Sequence, residues 1–327
     1  KAERKFYNDN LGLSFGFRVD ADSFSEGSGL MDNFSPRIAL TYNLTQDQSW
    51  KINASVGRYY KIPTYTMLGF QNRLSTFVNQ KAKYTRSDHL VMGLEYAPGN
   101  ASRITLEGFY KKYSQYPISL TDGVSLANKG GGFEVLGNEA ISSDGRGKSY
   151  GVEALYQQKL SKNFYGVFAY TYFHSQFTTA IGNYLPSVWD SRHLISFSGG
   201  YKLKKNWEIS ARWRFSGKTP YVPVNQNATL SAYPEVVLDY NQLGNVKLDP
   251  FNLADIRFDK KWNFKRYSFN FYFEIQNFLA QAVPRPDEYG LNRTEEGNLI
   301  LPESLVKVNT EENNNIPIPS FGFVIDF

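Results

Sequence analysis

"SFNFYFEIQ", residues 268–276, alternates without a break. Phe269, Phe271, Phe273 and Ile275 fall on one side; Ser268, Asn270, Tyr272, Glu274 and Gln276 fall on the other. A period of two marks an extended strand whose two faces meet different surroundings. The chain's last nine residues, "PSFGFVIDF" (319–327), repeat the pattern with Phe321, Phe323, Ile325 and Phe327 on one side. A C-terminus frays unless something holds it. Both rows therefore need a broad apolar partner.

The same alternation recurs along the chain. "LGLSFGFRV" sets Leu11, Leu13, Phe15, Phe17 and Val19 against Gly12, Ser14, Gly16 and Arg18. "RITLEGFYK" sets Ile104, Leu106, Gly108 and Tyr110 against Arg103, Thr105, Glu107 and Lys111. "EISARWRFS" sets Ile209, Ala211, Trp213 and Phe215 against Glu208, Ser210, Arg212, Arg214 and Ser216. In all, about 12 strands are expected, near 11–19, 35–44, 50–60, 88–96, 102–113, 149–160, 164–177, 193–203, 207–217, 253–262, 268–277 and 319–327. Their connections alternate in length. Residues 45–49, 98–101, 161–163, 204–206 and 263–267 are short turns, whereas 20–34, 61–87, 114–148, 178–192, 218–252 and 278–318 are long. Strands that run up and down then place every short turn at one end and every long loop at the other. An outer-membrane barrel has this layout, and a soluble sandwich has no reason to sort its loops so.

Alternation alone leaves open which face is inside; packing argues for the apolar face turned outward. Twelve aromatic-rich rows around a soluble core would have to fill a narrow interior; facing lipid removes the problem. The chain has no Cys, so no disulfide framework, thiolate metal site or Cys nucleophile exists. Aromatic residues make up 16% of the sequence, with 25 Phe and 23 Tyr, which favours strands. Mean hydropathy is −0.45 and no run of about 18 apolar residues occurs, which excludes a transmembrane helix but not a membrane strand. The net charge of +5 is dispersed, and no basic face or stacking motif suits nucleic acid. Trp50, Tyr96, Tyr113, Trp207 and Trp262 are expected to form interfacial girdles, with Lys204, Lys205, Lys260, Lys261, Lys265 and Arg266 near the short turns.

Four stretches carry a resemblance: "FSPRIALTYNL…SWKINASVGRYYKIPTY", "RSDHLVMGLEYAP…RITLEGFYKKYSQYPIS", "GRGKSYGVEALYQQKLSKNFYGVFAYTY" and "PSVWDSRHLISFSGGYKLKKNWEISARWRFSGKTPY". In that order, and with a terminal Phe, they resemble the late barrel strands of TonB-dependent outer-membrane receptors, in the style of Bacteroidetes-type bacteria. The resemblance covers about Leu11 to Phe327. It implies an all-β, antiparallel transmembrane β-barrel, of which this chain holds part of a roughly 22-stranded whole. Residues 1–327 are then expected to be the C-terminal part of the barrel, with the plug domain and earlier strands absent from this chain. The start at Lys1-Ala2-Glu3 is expected to reflect a removed leader or a missing N-terminal part. The first and last strands are accordingly expected to leave the sheet open. The implied function is TonB-energised uptake of a scarce nutrient: a siderophore, cobalamin, a glycan or a peptide. The implied partners are outer-membrane lipid, a TonB-type energising protein acting through the N-terminal part, and the barrel-assembly machinery. A surface lipoprotein lid accompanies the glycan-importing relatives, although no residue here demands one. By the same resemblance Phe321, Phe323, Ile325 and Phe327 form the barrel-assembly signal.

Chemical motifs are sparse. His89, His174 and His193 fall in no metal-ligand spacing, and His89 and His193, after Asp88 and Arg192, read as polar residues at strand starts. Ser196 and His193, three apart on a strand, face opposite sides, which argues against a catalytic dyad. "DADSFSE" (20–26) is oxygen-rich but lacks EF-hand spacing. "NKGGGF" (128–133) has glycines but no GK[ST] and opens no helix. No catalytic residue, metal ligand or cofactor site is therefore assigned. The loop stretches "YTRSD", "PSVWD" and "GKTPYVPV" combine rings and charges near the rim and are candidates for ligand contact. Two other readings remain at this point: a passive porin-like channel with its own closed barrel, and an outer-membrane barrel enzyme or secretion barrel.

Overall fold

The computed structural model describes residues 2–26, 29–130, 135–232, 236–286, 288–291, 294–296, 298, 300, 305–308 and 316–327. The alternating stretches form antiparallel strands, each hydrogen-bonded to its neighbour in sequence. They are β1 (Ala2–Phe6), β2 (Leu11–Arg18), β3 (Ser35–Asn43), β4 (Trp50–Lys61), β5 (Thr85–Tyr96), β6 (Ser102–Ser119), β7 (Ile141–Ser161) and β8 (Phe164–Thr178). They continue as β9 (Tyr184–Pro186), β10 (His193–Lys202), β11 (Trp207–Ser216), β12 (Phe251–Asn263), β13 (Ser268–Gln276) and β16 (Ile318–Asp326). All fourteen belong to one sheet; β9 pairs only with β8, and the others run in the order β1 to β8, β10 to β13, then β16. A separate hairpin joins β14 (Glu288–Leu291) to β15 (Leu305–Val308). Helices are confined to loops, as α1 (Tyr65–Leu68) and α2 (Gln226–Ala232). Among the described residues no helix is long and apolar enough to cross a membrane.

All twelve expected strands are present. The sequence reading missed β1, whose centre "ERK" is charged, β9, which has three residues, and the β14–β15 hairpin, which lies within the connection 278–318. Tyr7, Asn8 and Asp9 all take positive φ in the tight β1–β2 turn, so the short–long alternation extends to this hairpin. The central strands are longer than expected. β6 reaches Ser119 and β7 begins at Ile141 and runs 21 residues, about twice what a bilayer requires. Their far ends stand beyond the lipid zone, and register shifts between Tyr113 and Ile118 mark where the pairing becomes irregular.

Register fixes which residues share a face, because directly opposed residues point the same way. One continuous row is Ile38, Val56, Leu90, Tyr110, Tyr150 and His174. The row beside it is Leu40, Ala54, Met92, Gly108, Val152, Tyr172 and His193. These large apolar side chains are open: Val56 is 54%, Leu90 56% and Met92 61% exposed. A field of this kind on a monomer must be covered. The buried apolar residues lie elsewhere, mostly at the long-loop end, among them Leu68, Tyr84, Val124, Leu126, Val188 and Leu243. The molecule is thus apolar outward along its strands and has its small packed core in its loops.

At the short-turn end, Trp50 stacks on Tyr96 at 4.3 Å, and Trp207 and Trp262 are exposed on the same apolar face. Lys260 extends its ammonium over both Trp rings, at 5.3 and 5.4 Å, carrying its charge towards the turn. The expected girdle is present here with one correction. Tyr113 pairs with Ser87 and Gly147, which places it on the polar face at the other end, against Tyr116 and Phe177. A second belt, formed by Tyr110, Tyr150, His174, Tyr172 and His193, crosses the apolar face towards the long loops; Tyr110–Tyr150 and Tyr150–His174 are stacked at 6.3 and 5.0 Å.

Candidate functional site

The polar face carries two groups of charged and aromatic residues. Towards the long loops, β3 to β6 bring together Arg37, Tyr59, His89 and Lys111. The Arg37 guanidinium lies 4.3 Å from the Tyr59 ring centre, and Tyr59 lies 4.5 Å from the His89 ring. Lys111 is directly opposite His89. Gly57 sits between His89 and Arg37 in register, and a β-carbon there would come within 3.1 Å of the Tyr59 ring and 3.3 Å of Arg37 Cγ. A side chain at that position would crowd the stack. The patch is cationic and ring-lined.

Because β5 starts at Thr85, His89 lies inside the strand and not at its start. Ser87 Oγ is 2.6 Å from His89 Nε2, a pair that sequence reading overlooked although two residues apart on a strand share a face. The chemistry of a triad does not follow. Asp88, the adjacent carboxylate, is on the opposite face and bound there by Arg58 and Arg86 at 2.7 and 2.5 Å. Ser196 pairs with Arg214 on the polar face while His193 is on the apolar face, so that dyad is excluded by register.

Towards the short turns, β8, β10 to β13 and β16 line a shallow cavity with an ion network. Arg257 meets Asp259 through two bonds of 2.8 Å, lies 3.8 Å from Glu274 and stacks 3.9 Å from the Tyr272 ring centre. Asn270 donates to Asp259 at 3.1 Å, Arg212 reaches Asp255 at 3.9 Å, and Tyr165 donates to Glu208. Most charges here already have partners, which makes this a built, polar wall rather than an open anion or cation site.

The loops at the rim are tied by polar contacts, most of them part-buried. Asp22 accepts from the Phe24 and Ser25 amides at 2.9 and 2.6 Å, from Ser25 Oγ at 2.7 Å and from the Tyr84 hydroxyl at 2.9 Å. Burial alone would raise this carboxyl, but those donors outweigh it and hold it at about 2. Both carboxylate oxygens of Asp22 in "DADSFSE" are thus committed to protein donors, and among the described residues no group of acidic or imidazole side chains is placed to hold a metal. Lys129 joins Asp122 and Glu139, each at 2.6 Å. Asp190 has a fully buried side chain 3.1 Å from Arg192 Nε; burial pushes its carboxyl up, opposed by that guanidinium. Of the rim stretches named from sequence, "YTRSD" sends Arg86 and Asp88 to the apolar face. "PSVWD" buries Ser187, Val188 and Asp190 but exposes Trp189, and "GKTPYVPV" bridges at Pro220 and Val224 to Lys247 and Leu238. Residues 131–134, which include most of the glycine run, lie outside the described residues. Phe321, Phe323 and Ile325 stand opposite Phe273, Phe271 and Phe269, all on the apolar face; Phe327 follows β16 and is almost fully exposed.

Residues 2–278 match the family model described as TonB dependent receptor-like, beta-barrel. No curated protein matches the chain. Among solved structures, the ferripyoverdine receptor of the Pseudomonas aeruginosa outer membrane superposes with a TM-score of 0.59 at 14% identity, covering 97% of this chain and 36% of that one. The outer membrane transporter YddB of Escherichia coli gives 0.58 at 15%, covering 97% and 43%. BauA, the ferric preacinetobactin receptor of Acinetobacter baumannii, gives 0.59 at 13%, covering 99% and 41%. The chain therefore spans less than half the length of each of these proteins, and the likeness is one of fold.

Proposed function

The chain belongs to the TonB-dependent receptor β-barrel family of the Gram-negative outer membrane, a family of receptors and not of enzymes, and we propose that it forms the C-terminal part of a roughly 22-stranded barrel that takes up a scarce nutrient. The observation that carries the reading is the two-faced sheet with its sorted connections: exposed apolar rows flanked by aromatic belts on one face, and charge networks on the other. On this reading the polar face lines the lumen, the long loops stand at the cell surface, and a TonB-type protein supplies energy through segments outside this chain.

Within that reading the ligand is anionic. Arg37 and Lys111, with the Tyr59 and His89 rings, suit a negatively charged, ring-bearing chelate better than a neutral glycan. The named neighbours that are ferripyoverdine and ferric preacinetobactin receptors agree with this choice. A strain lacking the complete receptor gene, complemented with wild type or with Arg37→Ala/Lys111→Ala, tests it by uptake of radiolabelled ferric chelates. The double variant should weaken uptake affinity by roughly tenfold or more, as loss of charge-assisted contacts does. Normal affinity, or a defect confined to a neutral glycan or cobalamin, would count against the anionic ligand. Uptake that persists without the energising protein would favour a passive channel.

A further inference from the structure

We propose that one side of this chain's short-turn rim is a docking surface for the peptide carboxylates of the peptidoglycan layer, carried by Lys162, Lys204, Lys205, Lys265 and Arg266. These cations belong to three turns, 161–163, 204–206 and 263–267, which contain no acidic residue. The turns close the hairpins β7–β8, β10–β11 and β12–β13. Because β8 pairs with β10 and β11 with β12, the three are consecutive along the rim. Neighbouring strands lie about 4.8 Å apart, so successive turns stand roughly 10 Å apart and the row spans about 20 Å. All five side chains are exposed. Lys261 pairs with Asp326 at 3.5 Å, whereas none of the five is in an ion pair among the described residues. Lys162 and Lys205 hold φ of 56° and 60°, a region in which Gly is least strained, so local turn geometry does not account for lysine there.

The remaining short turns, 7–10, 45–49 and 98–101, contain no cation and two acids, Asp9 and Asp47. Beside them, Lys51 and Arg103 are both held by Glu95, at 3.6 and 3.0 Å. Free positive charge is therefore confined to one side. Annular lipid meets every turn alike and gives no reason for this asymmetry. The cations also stand past the aromatic girdle: Lys265 and Arg266 follow Phe264, which stacks on Tyr267 at 4.7 Å, and Lys204 and Lys205 precede Trp207. Composition separates two kinds of occupant. Folded protein interfaces favour Arg and are depleted in Lys, and here four of the five cations are Lys. Mobile ammonium groups at nearly equal steps suit a flexible, repeating polyanion better. A cell-wall polymer with carboxylates on its peptide side chains has that chemistry. That the short turns face the periplasm rests on the family orientation given above; the preference for a polyanion rests on the side chains.

The test uses the complete receptor in a neutral detergent, with purified peptidoglycan sacculi as the probe and co-sedimentation as the readout. The unaltered receptor should bind native sacculi about tenfold or more tightly than sacculi whose carboxylates have been converted to amides, a comparison that needs no variant. Replacing all five residues by Gln should lower affinity for native sacculi by about tenfold or more. Lys112→Gln/Lys148→Gln, at a directly opposed pair towards the long loops, should leave it unchanged. Equal binding of native and amidated sacculi, or unchanged binding by the fivefold variant, would overturn the surface. So would a variant that loses binding only to phosphatidylglycerol vesicles, which would assign these cations to lipid. Because the readout is cell-wall binding, none of these results depends on what the receptor transports.

Discussion

At the scale of single residues, the rim is held by hydrogen bonds that titrate. Asp22 is depressed from 3.8 to about 2 while Tyr84, by burial and by its bond to Asp22, is raised from 10.0 to about 12. The sign is opposite for the two. The Asp22 contribution is full above the ordinary carboxylate range and is lost as pH falls through about 2. The Tyr84 contribution is full below the ordinary phenol value and is lost as pH rises through about 12. Loop 20–26 should therefore stay docked on Tyr84 across the whole range from mildly acidic to mildly alkaline. Asp22→Asn keeps the shape but removes the charge, and should cost about 1–2 kcal/mol of local stability. Hydrogen exchange should show it as roughly tenfold faster opening of the Phe24 and Ser25 amides, with the strands unaffected. None of this was visible in sequence. "DADSFSE" showed oxygens at close spacing; that Tyr84, 62 residues away, would supply a donor is a property of loop packing.

At the scale of elements, the sequence was most informative where one face differed strongly from the other. β13 and β16 pair so that Phe269, Phe271 and Phe273 meet Ile325, Phe323 and Phe321, a register that the two quoted rows anticipate. We propose, as the family resemblance implies, that Phe321, Phe323, Ile325 and Phe327 are read by the barrel-assembly machinery. Phe327 makes the sharpest case, since it lies past the last strand residue and is 99% exposed, so its removal costs the sheet little. Phe327→Ala in the complete receptor should reduce the amount inserted in outer membranes severalfold, as measured by immunoblot, while the inserted fraction keeps its ligand affinity. Normal insertion would remove the role. Sequence was weakest where a strand is short or charged, as in β1 and β9, and where it runs beyond the bilayer. There the alternation no longer separates lipid from water, so the ends of β6 and β7 read as loop, and Tyr113 read as girdle.

At the scale of the whole molecule, the distinction that matters is which side of the sheet a residue occupies. Met92 and Ser55 make a test within one hairpin: Met92 lies in the exposed apolar field opposite Ala54, and Ser55 lies on the polar face opposite Ala39 and Val91. Met92→Arg should cost about 2–4 kcal/mol in membrane-inserted stability, and Ser55→Arg close to nothing, in urea titrations of the complete barrel in phospholipid bilayers. Equal costs would contradict the assignment of faces.

The sequence by itself determined the strands, their antiparallel order and the sorting of connections into short and long, because a period of two and the punctuation between runs are local properties. It also determined that one face is apolar and the other polar. Only the tertiary structure decided which strand-end aromatics belong to which face, that Arg37, Tyr59, His89 and Lys111 meet, and that Lys112 opposes Lys148. Those facts depend on register between strands far apart in sequence, where a shift of one residue would turn every side chain to the other side.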